Sequence, residues 1–176
     1  MDRMTRADIV AALEALAREL SDGSDPEEIV VVGGAALVLL HGARDATKDV
    51  DVVFLGPGPA SRVRAAAATV SGALGLPVDW LNDAAKGFLH GLDLGETLLE
   101  SPSLIVRSAA AHQLLAMKLS AWRDDVDVED ARLLLSRLPG GREQIWATIE
   151  PFLDPGRELK ARYAFEDLWE AGHGPD

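Results

Sequence analysis

Asp49 and Asp51 stand one residue apart at the mouth of an apolar run, in the stretch KDVDVVF. Successive side chains of a strand point to opposite faces, so both carboxylates project from one face and repel each other. Val53 and Leu55 continue that face, while Val50, Val52 and Phe54 form the other. Like charges held together at the edge of a core are costly unless a cation neutralises them. For ligands that offer only oxygen, the simplest hard cation is Mg²⁺, with Mn²⁺ as its substitute. Upstream, Gly33 and Gly34 end the run EIVVV and precede AALVLLHG. A glycine turn between strand and helix lets backbone N–H groups approach phosphate oxygens. Arg44, Thr47 and Lys48 lie between the two pairs and add two cations and a hydroxyl. Taken singly, each feature has a plain explanation: a D-x-D can open a surface strand, Gly-Gly can serve a turn, and loop cations can serve solubility. Phosphate donors, positive charge and a two-carboxylate metal seat in one short stretch are the equipment of phosphoryl or nucleotidyl transfer.

The elements that must position these residues follow from periodicity. Ile9, Leu13, Leu16 and Leu20 form one stripe of a first helix, which SDGSDP stops. EIVVV is a short buried strand, and AALVLLHG a helix ending at Gly42, where a left-handed cap is common. DVDVVFL is a second strand, GPGP a turn and ASRVRAAAATVSGAL a helix; LPVDWL reads as a third strand. ETLLE and SLIVR read as two more strands. AAAHQLLAMKLSAW, VEDARLLLSRL, REQIWATIEPFL and GRELKARYAFEDLWEA all read as helices. The expectation is an α/β front half, residues 1–107, with a helical region, 108–176, packed on it as one unit.

Composition narrows the partners. With 176 residues, of which 48% are hydrophobic, the chain can bury one sizeable core. A formal net charge of -12 argues against gripping extended DNA or RNA through many phosphates, so any basic site must be local. The absence of cysteine excludes thiolate zinc sites and a cysteine nucleophile, and makes a reducing, cytoplasmic setting the simpler expectation. The N-terminal stretch lacks the h-region of a signal peptide, and no apolar run approaches the roughly 20 residues that span a bilayer. The four histidines show no zinc-site spacing, and neither a Walker loop, a G-x-S-x-G elbow nor a G-x-G-x-x-G run occurs.

The stretch VVGGAALVLLHGARDATKDVDVVF resembles the signature of the nucleotidyltransferase superfamily, in which Gly-Gly or Gly-Ser precedes a D-x-D pair. The R-x-T-K-D-x-D variant is similar to the subgroup that contains nucleotidyltransferase toxins of the abortive-infection type. The resemblance covers roughly residues 28 to 137. The 14 residues between Gly34 and Asp49 exceed the shortest forms of the pattern, and Gly34 replaces a serine that gives many members one phosphate contact. The resemblance implies a minimal nucleotidyltransferase core, an α+β fold with a mixed sheet, followed by a C-terminal helical bundle. It implies that Asp49 and Asp51 bind the catalytic metal and that Gly33 and Gly34 lie beside an NTP triphosphate. It also implies a third carboxylate, for which Asp79 in LPVDWLND is the candidate, as base or metal ligand; the plain alternative is an aspartate starting a turn. The subgroup further has a lysine and an arginine on one helix followed by spaced aspartates. Lys118 and Arg123 would then serve the nucleotide, with Asp127 or Asp130 orienting Lys118. The alternative is a surface lysine beside aspartates that cap a helix. The implied activity is Mg²⁺-dependent transfer of a nucleoside monophosphate from an NTP to an acceptor hydroxyl, as a toxin acting on tRNA and opposed by a cognate antitoxin. The alternatives are a small-molecule (antibiotic) or protein acceptor, or a non-catalytic nucleotide-binding module.

Overall fold

The structure is a computed structural model and describes residues 3–22, 25–42, 44–56 and 58–173. Parts of SDGSDP, GARDATK and GPGP, namely Gly23, Ser24, Ala43 and Pro57, lie outside the described residues. The chain divides into two units. The first comprises Met1–Gly87 and Leu94–Ala109, the second Phe88–Asp93 and Ala110–Asp176. The segment 88–93, expected in the front half, therefore belongs to the helical unit.

The first unit is built on a five-stranded mixed sheet in the order β5-β4-β2-β7-β6. Its strands are β2 (Glu27–Val31), β4 (Val50–Phe54), β5 (Leu81–Asn82), β6 (Leu94–Glu100) and β7 (Leu104–Ala109). A two-stranded sheet pairs β1 (Met4–Thr5) with β3 (Ala46–Thr47). β2 runs antiparallel to β4 and parallel to β7, so the central strand carries the two apolar runs predicted from sequence side by side. Ile29, Val31, Val50, Val52, Leu104 and Val106 are all fully buried, each worth about 1.5–3 kcal/mol of transfer free energy. α1 (Arg6–Glu19) and α3 (Ala60–Leu74) pack against each other, burying Ile9, Leu13 and Leu16 of one and Val63 and Val70 of the other. Thr5 caps α1 and exchanges hydrogen bonds with Asp8, while Arg62 of α3 bonds the buried Glu27 at 2.9 Å and so ties the helix to β2. α2 (Gly33–Ala36) follows β2 without a break, widens into a π turn over Leu37–His41 and ends at Gly42 with φ +58°, the expected left-handed cap.

One predicted strand is displaced. Of LPVDWL only Leu81 is in β5, because Pro77 to Trp80 form a turn whose indole Nε1–H donates to Ala67 C=O at 3.0 Å. The Trp80 C=O itself accepts from Val50 N–H at 2.7 Å, so the chain meets β4 as it leaves this turn. In the second unit α4 (Ala111–Ala121) lies against α5 (Asp125–Arg137), α6 (Arg142–Ile149) and α7 (Glu158–His173), with Leu114, Leu115, Leu119, Trp146 and Phe165 in its core. Among the described residues no helix is long and apolar enough to cross a membrane.

Candidate active site

The end of β2 and the start of β4 meet through one backbone bond: Val32 N–H donates to Asp51 C=O at 2.9 Å. The chain then turns at Gly33, whose φ of +61° is a left-handed conformation that costs a residue with a side chain roughly 1–2 kcal/mol. A methyl group added at Gly33 would stand 3.4 Å from Asp51 Oδ2, so the glycine turn and the carboxylate face each other directly. Gly34 is approached from the other direction. A methyl group there would lie 2.8 Å from Thr47 Oγ1 and 3.1 Å from Arg44 Nη1. Thr47 is buried and pinned by its pairing with Met4, so the small sheet holds the hydroxyl against the glycine. Lys48 is exposed at the rim. The structure thus brings Gly33, Gly34, Arg44, Thr47 and Asp51 together.

The close approach at Gly34 makes a specific expectation. Gly34→Ala meets no adverse φ, but it must push Thr47 or Arg44 aside, an overpacking that costs about 1–3 kcal/mol. The variant is expected to melt several degrees lower and to lose most of the stabilisation that NTP gives the wild type. Thermal melting with and without NTP measures both. Unchanged NTP stabilisation would remove Gly34 from the site.

Asp51 is half-buried, and its carboxyl is pushed up to about 6 by burial, with the Asp49 charge adding to it; a hydrogen bond from the Ala85 backbone only partly offsets them. Such a carboxylate is short of a positive partner. The donor set, two carboxylates beside an open glycine turn, fits Mg²⁺, which is commonly held by one or two carboxylates with substrate phosphates completing its shell. Asp49 precedes β4 and accepts a hydrogen bond from Asn82 Nδ2 at 3.2 Å.

Asp79 is exposed in the turn before β5, and its backbone C=O accepts from Asn82 Nδ2 at 3.4 Å. Among the described residues no three of His, Asp and Glu form a group that could hold a metal. The residue that pairs with Asp51 across β4 and β5 is Asn82. An amide carries no charge to mark it in the sequence; its place at the end of the strand beside DVDVVF is the one signal there.

Lys118, Asp127, Asp130 and Arg123 also come together, in the second unit. Lys118 Nζ lies 2.8 Å from Asp127 Oδ1 and 2.7 Å from Asp130 Oδ2, with all three side chains buried. Trp122 ends α4 at φ +38°, a left-handed turn, so Arg123 stands beyond the helix rather than on it. From there its backbone N–H and its Nε both donate to Asp127 Oδ2 at 3.1 Å. The cap of α5 is Asp124, not the aspartates that follow. Lys118 and Asp130 are thus buried in an ion-pair cluster with Asp127, and Arg123 joins it from the exposed side.

The mixed sheet sets a glycine turn beside D-x-D, the arrangement that the resemblance to nucleotidyltransferases implies. Residues 9–88, a little under half of the chain, match the family described as "Nucleotidyltransferase of unknown function (DUF6036)". That segment is similar to this nucleotidyltransferase family. No curated protein and no solved structure shows significant similarity to the chain.

Proposed function

We propose that the protein is a Mg²⁺-dependent enzyme that transfers a nucleoside monophosphate from an NTP to an acceptor hydroxyl. The observation that carries this reading is that Asp51 Oδ2 lies 3.4 Å from where a Cβ on Gly33 would stand, which supports a phosphate site beside a metal seat. Asp49 and Asp51 would hold the ion, which when bound neutralises charge on the phosphates and on the carboxylate pair. The glycine turn offers an unhindered backbone to the triphosphate, and Arg44 and Lys48 add positive charge next to it, with the Thr47 hydroxyl packed on Gly34. The acceptor hydroxyl gives its proton to solvent as its oxygen bonds to the α-phosphorus, while the bond to the leaving pyrophosphate breaks.

For the acceptor we propose tRNA, with a cognate antitoxin as the protein's partner, on the resemblance of R-x-T-K-D-x-D to the toxin subgroup. The net charge of -12 confines the RNA contact to a local patch around Arg44 and Lys48. The test is incubation with Mg²⁺ and each NTP labelled at the α-phosphorus, in the presence of total tRNA, cell-extract protein and aminoglycosides, alongside Asp51→Ala. Label on RNA that disappears in the variant is the expected result. Label on protein or on the aminoglycoside would replace the acceptor. No label despite NTP binding would reduce the protein to a nucleotide-binding module.

A further inference from the structure

Asn82 makes a directed hydrogen bond to the carboxylate pair and is itself held on both sides of its amide. Its Nδ2 donates to Asp49 Oδ2 at 3.2 Å and to Asp79 C=O at 3.4 Å, while its Oδ1 accepts from Ala84 N–H at 2.9 Å. Both ends of the amide are therefore engaged. Flipping it would set Oδ1 against a carboxylate and the NH₂ group against a backbone N–H, so the network fixes its orientation. Its backbone is also fixed, because β5 pairs Asn82 with Asp51 and Leu81 with Val50. The chain from the end of β5 into the turn that follows touches both aspartates: Asn82 bonds the side chain of Asp49, and the Ala85 backbone bonds Asp51.

The consequence for Asp49 is geometric. With Oδ2 turned to an N–H, the other oxygen, Oδ1, has no hydrogen bond among the described residues and is left to a cation. The consequence for the seat is electrostatic. A neutral amide stands beside the two carboxylates, and among the described residues no further Asp, Glu or His joins them as a metal group. We propose that Asn82 is a positioning residue, holding Asp49 so that the two aspartates take a single divalent cation. This rests on the metal-seat reading of Asp49 and Asp51 given above.

Titration of the full chain with Mn²⁺ in the absence of nucleotide, following free Mn²⁺ by electron paramagnetic resonance, tests it. The wild type is expected to bind one ion. Asn82→Ala should keep that stoichiometry and bind about tenfold more weakly, as for other residues that orient a metal ligand. Asn82→Asp adds a carboxylate and should bind Mn²⁺ more tightly than the wild type. These opposite signs separate positioning from a structural role, in which both variants would bind more weakly or neither would change. Melting in EDTA confirms that each variant is folded. Two ions on the wild type, or wild-type affinity in Asn82→Ala, would overturn the inference. Asp51→Asn keeps it distinct from the reading beneath it. If the wild type binds Mn²⁺ and Asp51→Asn does not, the seat stands and only Asn82 is at issue. If the wild type binds none, the seat fails and Asn82 falls with it.

Discussion

Asp51→Asn is expected to abolish nucleotidyl transfer and, in EDTA at about pH 8, to raise the melting temperature. The two effects share one cause. In the folded protein burial, helped by the charge of Asp49, lifts the Asp51 carboxyl from an ordinary 3.8 to about 6. Below the ordinary value both folded and unfolded chains hold the proton, and the group imposes no penalty. As pH rises through the interval the unfolded chain ionises first, so folding stability falls, and above about 6 the full penalty remains. A shift of this size would correspond to about 3 kcal/mol for a dry group, but water reaches Asp51, which reduces the figure to about 1–2 kcal/mol. Asparagine keeps the shape and removes the charge. On a chain of this length the gain is expected to appear as about 2–6 °C in EDTA at about pH 8, and to vanish near pH 4. Mg²⁺ with NTP should reverse the order, stabilising the wild type and leaving the variant unmoved. Equal melting of the two proteins in EDTA at about pH 8 would show that the carboxylate is not under strain.

The same residue shows which parts of this molecule can be read from its sequence. Alternation along DVDVVF announced that Asp49 and Asp51 share a face, because a strand's period is fixed by backbone geometry alone. The helix at Ala60–Leu74 was equally legible, and Gly42 marked the end of its element, because caps and periodicity are local. The approach of Thr47 to Gly34 was not, since it depends on β1 reaching across to pair with β3. Nor was the loss of Asp79 from the strand. Trp80 closes the turn onto Pro77 and bonds Ala67 of α3, a contact that nothing within LPVDWL reports. Asn82 and Lys118 differ in what the sequence offers: a neutral amide carries no signal of its bond to Asp49, whereas the spaced aspartates after Lys118 signal the carboxylates that hold it.

That lysine gives the largest stability effect expected in the molecule. Lys118→Ala removes the ammonium from between Asp127 and Asp130, leaving two buried carboxylates without it, and breaking a buried ion pair from one side costs about 3–5 kcal/mol. Chemical denaturation is expected to show that loss, whereas a surface lysine would change stability by less than about 0.5 kcal/mol. Acid should reproduce part of the effect in the wild type. Burial alone pushes the Asp127 carboxyl up, but hydrogen bonds from Lys118 and Arg123, and the ammonium charge, outweigh it and hold the carboxyl down at about 2. The depressed value means that the contribution is complete above pH 3.8 and is lost as pH falls towards 2, an amount of about 2 kcal/mol for so buried a group. In Lys118→Ala the step should shrink, because the bond that holds the proton off is gone. Replacing the triad together, as Lys118→Met with Asp127→Asn and Asp130→Asn, removes the uncompensated charge and should recover most of the stability lost in the single variant. If the triple variant is as unstable as Lys118→Ala, the cluster's contribution lies in its directed hydrogen bonds rather than in the balance of its charges.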